Sequence, residues 1–135
     1  MKEDVFNFLK AILLGFYDTV YDTILPVENN GSPPDNVCAI RFRDAGDIIR
    51  GIDGNIKYQS QPLTIICRGT KDRKASRTKA ESALNALDGS HGQIYNATDI
   101  IYLAASPVID EGVSEERGQA YHSIKVTAQF GPHNA

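Results

Sequence analysis

Leu63–Leu87 reads LTIICRGTKDRKASRTKAESALNAL. Its first residues alternate: Leu63, Ile65 and Cys67 fall on one face, and Thr64, Ile66 and Arg68 on the other. Both faces are largely apolar as far as Arg68, the pattern of a central strand covered on two sides. From Asp72 to Leu87 the period changes. Ala80, Ala83, Leu84 and Leu87 recur at three- and four-residue steps, which makes the core stripe of a helix. Ser76, one turn earlier, is polar and interrupts that stripe, while Arg73, Lys74, Arg77 and Lys79 fall on the solvent side. Gly89 stands where a helix ends on a left-handed residue. Strand, loop with Gly69 and Lys71, then helix is also the outline of a phosphate-binding site. A Walker-type loop needs a second glycine ahead of its lysine, and a dinucleotide loop needs three spaced glycines. Neither pattern is present, so the segment reads as a helix packed on a sheet, with Gly69 turning the chain out of the strand.

Outward from this unit the chain is mostly strand. On the N-terminal side, Val5, Phe8, Leu9, Ile12, Leu13 and Phe16 form one apolar helical stripe, with Glu3 and Asp4 in the first turn where they suit the helix dipole. Tyr17–Leu25 fits either an extension of that helix or a departure from it, and Pro26 ends it in both cases. Glu28–Asn36 is a loop by composition, too short to link two domains. In residues 37–43 Cys38, Ile40 and Phe42 face one way and Arg41 and Arg43 the other. Asp44 and Asp47 read as turn residues. Asp53-Gly54 sits between two alternating arms and predicts a projecting hairpin with a type I′ turn. Beyond the second helix, GSHGQIYN reads as a loop, DIIYLAAS as a strand, and PVIDEGVSEERGQ as a short arm with a charged turn. The final run puts Ala120, His122, Ile124, Val126, Ala128 and Phe130 on one face and Tyr121, Ser123, Lys125, Thr127 and Gln129 on the other. The expected fold is α+β: residues 1–135 as one domain, a mostly antiparallel mixed sheet with two main helices packed on one face and a projecting β-hairpin.

Composition narrows the function. The chain is 41% hydrophobic and 23% charged, ordinary for a soluble domain, and its net charge of -3 argues against a general nucleic-acid binder. The acidic start and spaced apolar residues of MKEDVFNFLK do not make a signal peptide, and no apolar run reaches membrane-spanning length. A cytoplasmic site of synthesis is therefore expected, with Cys38 and Cys67 as buried free thiols. No metal is expected, because His91, His122 and His133 lie far apart and neither cysteine has a second one at ligand spacing. Cys67 lies in an apolar strand that disfavours a thiolate, so a pairing with His122 is not read as catalytic. The basic run Arg68, Lys71, Arg73, Lys74, Arg77, Lys79 is broken by Asp72, lacks interleaved aromatics, and reads as a solvated helix face.

PLTIICRGTKDRKASRTKAESALNAL resembles a segment of the small tail-completion proteins of long-tailed bacteriophages, a family often labelled minor capsid protein and similar to the phage tail terminators. SPVIDEGVSEERGQAYHSIKVTAQF fits the same family: a proline, a short arm, an acidic turn, then a long strand. The acidic turn is longer and more charged here. The resemblance runs from about the first helix to Phe130. It implies a structural virion protein that forms a ring, typically a hexamer, on the head-proximal end of the tail tube. Tail tube protein and the head-tail connector would be its partners, with DNA passing through the ring without specific binding, and no membrane, catalysis or cofactor would be involved. The candidate interface comprises Arg41, Arg43, Asp53, Gly54, Asp110, Glu111, Glu115, Glu116 and Arg117. The arginines are placed to meet acids across a subunit boundary. A head-closure protein of the same virion is the near alternative. A small intracellular ligand-binding domain or enzyme is the distant one.

Overall fold

The computed structural model describes residues 1–25, 34–43, 46–114 and 118–133. Among the described residues two helices and eight strands follow one another: α1 (Lys2–Leu13), β1 (Thr19–Asp22), β2 (Val37–Phe42), β3 (Asp47–Arg50), β4 (Ile56–Arg68), α2 (Arg73–Leu87), β5 (His91–Tyr95), β6 (Thr98–Ala105), β7 (Ile109–Val113) and β8 (Ala120–Pro132). Their sheet runs β1-β2-β4-β8-β6-β5, with β3 added to β4 and β7 to β8. This is the expected α+β fold with its mixed, mostly antiparallel sheet: β1 alone pairs in parallel, and the other strand pairs are antiparallel.

The centre is the β4–β8 pair, in register from Gln59↔Phe130 to Arg68↔Tyr121. Each central strand is long enough to carry two different neighbours on its outer edge. β4 pairs with β3 over its first residues and with β2 from Leu63 onward. β8 pairs with β7 near Ala120–Ser123 and with β6 beyond Val126. The sheet therefore has two distinct ends. One is built from β2, β4, β8 and β7, and the other from β3, β4, β8, β6 and β5.

One face of the sheet holds the core. Leu63, Ile65, Cys67, Ile124, Val126, Ala128 and Phe130 are buried there beneath Val5, Leu9 and Leu13 of α1 and Ala83 and Leu87 of α2. Cys38 and Cys67 are register partners within this core and are free thiols. Burial raises the pKa of both, Cys67 to about 11, so neither is a nucleophile at neutral pH.

The strand–loop–helix unit is a packing device. Gly69 N–H donates to Ala120 O, Thr70 N–H to Ser76 Oγ at 3.1 Å, and Ala75 N–H to Asp72 Oδ1 at 3.0 Å. These amides are bonded within the chain, and the N-cap carboxylate of Asp72 would repel a phosphate. Ser76 is buried, in the gap in the apolar stripe, because its side chain lies against Gly69. Gly89 has φ +78 just past the end of α2, as its position predicts.

One open alternative is settled and three local readings are corrected. Of the two readings of Tyr17–Leu25 the chain takes the departure from the helix, with Thr19–Asp22 as strand β1. His91–Tyr95, read as loop, is strand β5. Asp47 starts β3 instead of lying in a turn, while Asp44 lies outside the described residues. The hairpin exists, but only Gly54 has positive φ, so the turn is not type I′. Gly54 N–H bonds Gly51 O, Gly51 N–H bonds Asn55 O, and the β3–β4 register shifts next to the turn.

A Cβ on residue 69 would lie 2.1 Å from Ser76 Oγ and 2.6 Å from Ser76 Cβ. Gly69→Ala is expected to lower stability by about 1–3 kcal/mol, because overpacking must push α2 off the strand end. Urea unfolding checks this, and an unchanged midpoint would show that the helix start yields freely.

Candidate assembly surface

The opposite face of the sheet carries neither helix. Alternation turns Arg41 of β2, Thr64 and Ile66 of β4, and Tyr121, Ser123 and Lys125 of β8 toward this side. With Phe42, Arg43 and Glu111 they line an open groove of about 940 Å³. Among the described residues that line it, three cations, Arg41, Arg43 and Lys125, stand against one acid, Glu111. Ile66 and Tyr121 give the groove apolar and aromatic walls.

Glu111 reaches the groove through a bulge. Asp110 pairs with His122 and Gly112 with Tyr121, which leaves Glu111 as the extra residue of β7. Its Oε1 accepts from Ser123 Oγ at 2.7 Å. Asp110 points to the helix side instead. Its Oδ2 accepts from Arg73 Nη2 at 2.7 Å and its Oδ1 from Gly112 N–H at 2.8 Å. These contacts hold the Asp110 carboxyl below its ordinary pKa, the Gly112 amide contributing most.

The sequence-derived candidates thus separate. Arg41, Arg43 and Glu111 meet in one groove, and Asp110 straps β7 to α2. Asp53 and Gly54 form the hairpin tip at the far end of β4. Glu115, Glu116 and Arg117 lie outside the described residues. Tyr121, Ser123 and Lys125 were not singled out as site residues, although the alternation of the last strand puts them together on its outer face.

The hairpin is the second exposed feature. Ile48, Ile49 and Ile52 are exposed along it, with Ile52 at the turn fully so. Asp53 Oδ1 accepts from Asn55 N–H, and Arg50 Nη1 donates to Gly54 O at 3.0 Å, so the tip is held by its own bonds.

No protein-family model and no curated protein sequence matches the chain. Among solved structures, a chain in one described as the virion of a native gene transfer agent (GTA) particle is similar. The two share 15% identity with a TM-score of 0.48, over 93% of this chain and 84% of that one.

One buried residue was misread in the sequence. Arg68, grouped above with the solvated cations, is 1% exposed, and its Nε donates to Pro34 O at 2.9 Å. Gln119 donates to Asp35 Oδ1 and Lys79 to Asn36 Oδ1. Together with the bond from Asp18 N–H to Asn36 O, these anchor the chain where it enters β2 beside the groove.

His122 lies beneath Asp110, buried on the core face. Burial lowers its pKa from the ordinary 6.5. Arg77 and Arg73 lower it further, while Asp110 and Glu81 oppose the shift. A depressed native value means that the unfolded chain takes up the proton first. Stability is therefore expected to fall as pH drops from 6.5 toward the native value, and His122→Gln should remove that component. Asp110 gives a separate loss at lower pH. Its contribution is full above the ordinary carboxylate range and vanishes as pH falls through the depressed native value, so Asp110→Asn should flatten the acid limb. Unfolding midpoints followed across pH for the three proteins check both.

Proposed function

We propose that this chain is a structural virion protein, a tail terminator that caps the head-proximal end of a phage tail tube as a ring. The observation that carries the reading is the pairing of two unlike surfaces at opposite ends of β4. One is a stiff hairpin with exposed isoleucines, and the other is an open charged groove. Contacts between unlike patches are heterologous, and repeated around an axis they close into a ring. The family resemblance of Pro62–Leu87 and Ser106–Phe130 supplies the kind of ring and its place in the particle. In this reading six copies meet tail tube protein on one side and the head-tail connector on the other.

The roles are mechanical. The helix-covered core keeps the sheet rigid, so strand-borne side chains present fixed surfaces to tube and connector. Bound to the last tube layer, the ring offers no further tube-building surface, which ends polymerisation. The reading gives no residue a catalytic role and needs no cofactor.

The test is reconstitution with purified tail tube protein, followed by negative-stain measurement of tube length. Adding the chain is expected to narrow the length distribution and leave a ring at one tube end. Ile52→Asp should abolish the effect while leaving the fold intact by circular dichroism. Tubes of unchanged length would overturn the terminator reading. Binding to connector protein in that case would make the chain a head-closure protein.

A further inference from the structure

We propose that the Gly51–Asn55 hairpin tip of one copy docks in the groove lined by Arg41, Ile66 and Lys125 of the next copy. This rests on the ring reading above and names the contact that builds it.

Chemistry matches the two surfaces. The tip offers Ile52, fully exposed, beside the exposed carboxylate of Asp53. The groove offers apolar walls from Ile66 and Tyr121, with three cations around them. Asp53 already accepts from Asn55 N–H and Asn55 Nδ2 at 3.0 Å. A carboxylate has about four lone-pair sites, so the tip keeps acceptor capacity for an arginine. Among the described residues, Glu111 is the acid within the groove, where it is held by Ser123 Oγ, and Asp110 is turned away to Arg73, so the three lining cations outnumber the acid there. The turn's own hydrogen bonds pre-organise the tip, so little ordering entropy is lost on docking.

Geometry makes the contact intermolecular. The tip precedes Ile56, whereas the groove is reached at Thr64 and Ile66 of the same strand. At strand rise this puts them roughly 30 Å apart along the sheet. A tip cannot fold back into its own groove, so it serves a neighbour, and that neighbour's tip serves the next.

The experiment uses two full-length versions with different affinity tags, one carrying Ile52→Cys and the other Ile66→Cys. They are mixed with tail tube protein and oxidised mildly. Cys38 and Cys67 are buried and do not compete. The expected result is a disulfide-linked dimer bearing both tags. Its yield should fall about tenfold with Asp53→Arg or Arg41→Asp alone and recover when the two are combined, as reversed charges regain attraction. Rings on tube ends without the mixed-tag product would overturn the docking inference and leave the ring reading standing. No ring and no fixed tube length would overturn the ring reading, and the inference with it. Binding of the groove to an acidic peptide of the tube protein, with no copy-to-copy product, would also overturn the inference.

Discussion

The antiparallel pairing of β4 with β8 is the constraint on which the rest depends. It runs through ten register partners, and on both strands every second side chain enters the core. A slip of one residue would send Tyr121, Ser123, Lys125 and Thr127 beneath the helices and Ile124, Val126 and Phe130 into water. No local adjustment offsets such an exchange, so the register is sharply specified. The two helices then take the only large apolar face available, and the charged groove is left as the other face of the same choice.

Much of this was legible because the buried face writes its period into the sequence. The core positions of β8, Ala120 through Phe130, follow strict alternation, and so do Cys38, Ile40 and Phe42 in β2. The helical stripes of α1 and α2 are equally plain. What was not legible lies at the margins of the sheet. β5 is mostly exposed, contains Gly92 at φ +63, and keeps no apolar alternation because it lies at the sheet edge, paired with β6 and touched by α1 through Phe8 on Tyr95. β1 is four residues long and pairs in parallel with a strand that comes a loop later, so nothing local announces it. The turn at Asp53-Gly54 followed its bulge and its own side-chain bonds instead of dipeptide statistics.

The groove shows the same division. Arg41 and Arg43 were visible as outward positions on one strand. Their union with Ile66, Lys125 and Glu111 needs four strands from separate parts of the chain, and the bulge that turns Glu111 into the groove is marked in the sequence by nothing beyond Gly112, which takes φ +94 there. Arg68 was misjudged because charge alone suggests solvent. Its burial reflects a backbone carbonyl, Pro34 O, brought to it by the sheet.

The order of elements along the chain has a kinetic consequence. β4 is made early and its partner β8 late, with a helix and three strands between them. Until β8 arrives, β4 has one raw edge and β6 has another, both rich in isoleucine and leucine. Pairings this distant in sequence form slowly, because a long loop must close before they repay it. α2, which is local and well capped, can form first and shade part of the waiting strand. During synthesis the chain is therefore most prone to sticking to its own copies in the interval before the final strand seals the sheet.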